Sequence, residues 1–138
     1  MTKITKFASL LAFGLLALPA QAAPSAKAEK CVIKSHSVTA VSPYYQEQRL
    51  GRATTRRLAG ALIRVQAEPG LTAEWLRLST ERHLAAMNAG AAMKDCPLAA
   101  RGIVLKVESS GNGFAIIISA SDTKTASEVL RRARLLQG

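Results

Sequence analysis

Acidic residues are scarce in this chain, and aromatic ones scarcer still. Nine Asp and Glu stand against nineteen Lys and Arg in 138 residues, while Phe, Tyr and Trp together make 4%. The acids are scattered, so no pair is placed for general acid and base work. The aromatics form no outward series of stacking platforms, so no specific nucleic-acid binding is expected despite the charge. Two histidines and two cysteines are all the chain carries of either type. None falls in a C-x-x-C or H-x-x-H pair of the kind that marks a zinc site. The phosphate loop with its lysine is missing, and Gly111 and Gly113 read as turn residues. Ser79, Glu81 and His83 lie close in sequence, but no nucleophile-elbow pattern surrounds them, and a triad is defined by mutual geometry. These gaps favour a protein that is not an enzyme and needs no cofactor.

A permanent membrane span requires about 20 apolar residues, and the chain has no such run. Its one apolar stretch, Phe7 to Leu18, follows Lys3 and Lys6 and precedes Ala20-Gln21-Ala22, an A-x-A type processing site. Residues 1–22 therefore read as a secretory signal peptide and residues 23–30, APSAKAEK, as a flexible lead. Processing would bring the formal charge from +10 to about +8 and leave a single domain over 31–138. The expected location is periplasmic or secreted, with no permanent membrane span in the mature form. In that setting strong basicity points to an anionic envelope component or a protein partner rather than genomic nucleic acid.

An oxidising compartment makes a Cys31–Cys96 disulfide the default reading of the two cysteines. It would close a loop of about 65 residues, for which chain entropy suggests roughly 4 kcal/mol of stabilisation.

The remaining pattern is organised around Leu71 to Pro97, the strongest helical stretch. Thr72 can cap its first amides, Leu76, Thr80, His83 or Leu84, and Met87 recur at helical spacing, and Gly90 suits the stop. Before it, Cys31 to Val41 reads as a strand broken by Ser42-Pro43. The basic segment that follows, to Gly60, fits a short helix, an arginine-rich loop or a hairpin arm. Ala61 to Glu68 alternates as a strand. After the helix, Ile103 to Glu108 and Phe114 to Ala120 flank Ser110-Gly111-Asn112-Gly113 as a hairpin. Ser121 or Asp122 caps a last helix that buries Ala126, Val129 or Leu130, Ala133 and Leu136. The fold class is α+β, a two-layer sandwich of a small, mainly antiparallel sheet with two helices. The part from Ala61 to Leu136 resembles most of a ferredoxin-like arrangement, with the Cys31 to Val41 strand completing the sheet. That resemblance concerns topology and implies no function.

Two sets of residues are candidates for binding. Arg49, Arg52, Arg56, Arg57 and Arg64 offer guanidinium forks beside Tyr44 and Tyr45, suited to an anionic envelope component or protein partner. Arg131, Arg132 and Arg134 would enlarge that surface if the last helix lay beside it. The alternative is a periplasmic soft-metal protein: imidazole, thioether and thiolate from His83, Met87, Met93 and Cys96 suit copper as Cu(I). His36 is a further ligand candidate for that set.

Overall fold

The computed structural model describes residues 30–91 and 93–138. The expected leader, 1–22, and all of the lead except Lys30 lie outside the described residues.

The described residues form four strands and two longer helices: β1 (Val38–Leu50), β2 (Ala53–Gln66), α1 (Ala73–Asn88), β3 (Ile103–Ser110), β4 (Gly113–Ala120) and α2 (Thr123–Arg134). The sheet is fully antiparallel in the order β1-β2-β4-β3. Because β4 is antiparallel to both neighbours, β2 and β3 run parallel across it, and α1 makes the crossover. The result is the two-layer α+β arrangement that the periodicity suggests. From β2 to α2 the order is the β-α-β-β-α of a split βαβ unit, and the fourth place beside β2 is filled from the N-terminal side by β1.

The sheet face toward the helices carries Ala61, Ile63 and Val65 of β2 and Phe114, Ile116, Ile118 and Ala120 of β4, all buried. Leu76 of α1 and Ala126, Val129, Leu130 and Ala133 of α2 pack onto it in the same core. The caps form as the sequence implies. Thr72 Oγ1 accepts from the Trp75 amide at 3.1 Å and Asp122 Oδ1 from the Thr125 amide at 2.8 Å. Each satisfies a donor with no partner inside its helix.

The N-terminal third departs from the sequence reading. Val32–Ser35 is a 3-10 turn, and the strand begins at Val38 and continues through Ser42 and Pro43 to Leu50. Proline was expected to break the strand, yet β1 lies at the sheet edge, where a missing amide need not be missed by any partner. Tyr44 to Gly60 is thus a hairpin arm rather than a short helix or a loop. Its two-residue loop, Gly51-Arg52, has Gly51 at φ 62° in the left-handed region, which a II′-type turn requires of its first central residue.

Register shifts kink β1 and β2 against each other between Val38 and Ala40 and between Tyr44 and Tyr45. At the second shift Tyr44 pairs with Gly60 and Tyr45 with Leu58, leaving Ala59 as the extra residue of a bulge. Gly60 has φ 154°, and a Cβ there would fall on the Ile118 carbonyl of β4. That close approach joins the arm to the body of the sheet.

Candidate functional site

Pairing between β2 and β4 starts at Gly60, so the hairpin from Tyr45 to Leu58 extends past the sheet as a two-stranded arm. Six paired residues in each strand give it a reach of roughly 20 Å at 3.3 Å per residue. Leu58 packs against the core rim, and the arm residues from Tyr45 to Arg56 are exposed. No hydrophobic interior explains this segment's sequence. It carries Arg49, Arg52, Arg56 and Arg57 against a single acid, Glu47, which stands opposite Arg56 in the register. Arg56 lies over the Tyr45 ring, 5.3 Å from its centroid, and keeps the guanidinium edge available for an anion. Arg57 is anchored at the arm's base: Nη1 donates to the Ser121 carbonyl at 2.6 Å. At the tip, Leu50 is 57% exposed between Arg49 and Arg52.

Three helix arginines are held differently. Arg77 is clasped by Glu74 and Glu81, at 2.6 and 2.8 Å. Arg131 and Arg132 both reach Glu128, at 2.7 Å each. Hydrogen bonds from Arg131 first, and then Arg132, hold the Glu128 carboxyl down to about 2. Among the described residues, the arm arginines make no ion pair within 4.0 Å. Ion pairing therefore falls on Arg77, Arg131 and Arg132 of the helices, although α2 keeps Lys124 and Arg134 in excess of its one acid, and none falls on the arm.

The five arginines named from sequence do not form one group. Arg64 sits on the uncovered sheet face and donates to Ser110 Oγ at 3.0 Å, seven residues along β2 from Arg57. At strand rise this puts it roughly 20 Å from the arm's base. Arg131, Arg132 and Arg134 occupy the last turns of α2, whereas the arm meets the α2 N-terminal end through Ser121. They do not enlarge the arm surface.

A second cluster lies at the edge of the core. Cys31 precedes the 3-10 turn Val32–Ser35, and Cys96 precedes a second one, Pro97–Ala99, whose Leu98 is fully buried. The two sulfurs stand at bonding distance, with Cα atoms 5.5 Å apart across a sequence separation of 65. His83 of α1 approaches the same sulfurs. Its Nε2 is 3.7 Å from Cys96 Sγ, and one donor atom each from Cys31, His83 and Cys96 lies within 4.8 Å of the others. All three side chains are buried.

Of the sequence-derived soft ligand set, His83, Met87 and Met93 line one cleft of about 490 Å³. Met93 also lines a cleft of about 790 Å³ with Cys31 and Cys96. From sequence Cys31 is expected only as a disulfide partner, and its place beside His83 is what the structure adds. No local motif could have revealed it, since the three residues come from three separate segments. His36 is placed elsewhere, with Nδ1 3.5 Å from Glu68 and its ring edge-on to Trp75 at 5.7 Å. Ser79 Oγ donates to the Leu76 carbonyl at 3.1 Å and Glu81 accepts from Arg77, ordinary helix-surface roles for both.

Among the described residues no helix is long and apolar enough to cross a membrane. Comparison with known proteins returns no matching family, no matching curated protein and no matching solved structure. Function has to be argued from the arm and the sulfur cluster themselves.

Proposed function

We propose that this is a small exported, non-enzymatic binding or accessory protein that contacts an anionic envelope component or acidic protein partner through its β-hairpin arm. The observation that carries the reading is the contrast in charge pairing. Arg77, Arg131 and Arg132 of the helices are ion-paired to Glu74, Glu81 and Glu128, while Arg49, Arg52 and Arg56 stand without an ion pair on an exposed arm that holds one acid, Glu47. An arm without a core has a sequence shaped by what it touches. Guanidiniums supply paired donors to phosphate or carboxylate oxygens, and Leu50 at the tip offers an apolar contact between two of them. Pairing with the sheet at Gly60 and the Arg57 bond to Ser121 hold the base so that the arm presents its charges in fixed register.

The arm is tested with the triple variant R49Q/R52Q/R56Q, which leaves the anchoring Arg57 in place. Each basic residue near an anionic bilayer is worth about 1 kcal/mol. Three losses predict partitioning onto vesicles with 30 mol% anionic phospholipid about 100-fold weaker, with an unchanged circular dichroism spectrum. A folded triple variant that binds vesicles and acidic polypeptides as the parent does would overturn the proposal.

A further inference from the structure

We infer that Cys31, Cys96 and His83 form a Cu(I) site that exists only when the Cys31–Cys96 pair is reduced, so that one pair of sulfurs serves either as a cross-link or as two metal ligands. The inference is independent of the arm. It rests on the meeting of three donors from three segments at one buried point.

Geometry comes first. A d10 ion with bonds of about 2.3 Å to thiolate and 2.0 Å to imidazole, opened to a near-trigonal angle, separates sulfur from nitrogen by about 3.7 Å. Cys96 Sγ and His83 Nε2 are already 3.7 Å apart. The Cα atoms of the cysteines are 5.5 Å apart, close enough for both sulfurs to reach one ion by side-chain rotation alone. Two thiolates and an imidazole are soft donors, and the Met93 thioether stands in the cleft that contains both cysteines. Three coordinated donors suffice for Cu(I), whereas structural zinc takes four.

Charge supports the same state. The cleft over the sulfurs is lined by Lys30, Lys34 and Lys94, with Asp95 as its one acid. These ammonium groups offset the single net negative charge of Cu(I) held by two thiolates.

The chemistry balances in two steps. A dithiol reductant gives two electrons and two protons to the disulfide, leaving two protein thiols and becoming a disulfide itself. Cu(I) then displaces both thiol protons to solvent while neutral His83 supplies its ring lone pair, and copper keeps its oxidation state throughout.

The test is an anaerobic Cu(I) titration of the whole mature protein against a chromophoric Cu(I) chelator, before and after treatment with a phosphine reductant, followed by circular dichroism. The expected result is one Cu(I) per reduced chain and none competing with the chelator in the oxidised chain. Outer-shell partners of metal ligands are commonly worth about 10- to 100-fold in affinity, so H83A and C31S, each losing a ligand, should weaken binding by about 100-fold or more. If reduction unfolds the chain, Cu(I) should restore the oxidised spectrum at one equivalent. Equal affinity in both redox states, a reduced chain that neither binds nor refolds with Cu(I), unchanged affinity in H83A, or preference for Zn(II) over Cu(I) would each overturn the assignment.

Discussion

Replacing both cysteines, C31A/C96A, separates what the cross-link contributes from what the packing around it contributes. A covalent loop of 65 residues restricts the unfolded chain by about 4 kcal/mol on the chain-entropy model. The Cα separation of 5.5 Å lies inside the usual disulfide range, so no backbone adjustment is needed to make the bond. Cys96 is 1% exposed, and removing its sulfur adds a small packing loss to the entropic term. A domain of this size has total stability on the order of 5–15 kcal/mol, so the variant is expected to be folded but marginal. Urea unfolding followed by tryptophan fluorescence and far-ultraviolet circular dichroism gives the comparison. The parent should exceed the variant by about 4 kcal/mol, and the variant should show the steeper urea dependence because its unfolded chain is more expanded. A loss below about 1 kcal/mol, with coincident two-state transitions, would refute the claim that this bond anchors the first 3-10 turn to the helical layer.

Three other outcomes follow from particular contacts. Gly60→Ala puts a methyl on the Ile118 carbonyl and should destabilise by roughly 2 kcal/mol or more, seen as an earlier urea midpoint. Leu76→Ala removes a fully buried side chain and should cost about 2–5 kcal/mol in the same assay. Glu128 is held from its ordinary 4.5 down to about 2 by Arg131 and Arg132. A carboxyl lowered in the folded state stabilises above its unfolded value and loses that contribution as pH falls toward the folded one. The stability difference between parent and E128Q should therefore be full above about pH 4.5 and gone near pH 2; a difference independent of pH would contradict the pairing. It should be small, because the group is exposed and screened.

Where a segment's sequence is set by the core, the periodicity reads directly. Thr72 and Asp122 announce helix starts because their side chains replace backbone acceptors, and Leu76, Thr80 and His83 mark the buried stripe of α1. Ile103 to Ala120 reads as a hairpin because both strands alternate around a glycine-containing turn. The arm has neither signal. Tyr45 to Leu58 packs little into the interior, so no alternation is imposed, and Pro43 reads as a stop unless the strand is known to be an edge. For the same reason the arginines looked like one set: only the fold shows Arg64 bound to Ser110 on the open sheet face and Arg57 tied to Ser121. The Cys31–Cys96 pairing is legible from the count of two cysteines and the expectation of an oxidising compartment. His83 beside them did not, because the distance between α1 and the two 3-10 turns is set by tertiary packing around Leu98.

The most direct measurement of the central claim is residue-resolved. Backbone amide shifts of the isotope-labelled protein, followed by NMR during titration with a short soluble anionic phospholipid below its micelle concentration, locate the contact. The account predicts shifts concentrated from Gln46 to Leu58, largest around Arg49, Arg52 and Arg56, and collapsing as salt rises past about 0.3 M, where screening shortens the reach of surface charge. Shifts centred on α2 around Arg131 and Arg134, or on the sheet face around Arg64 and Lys106, with the arm unmoved, would contradict it.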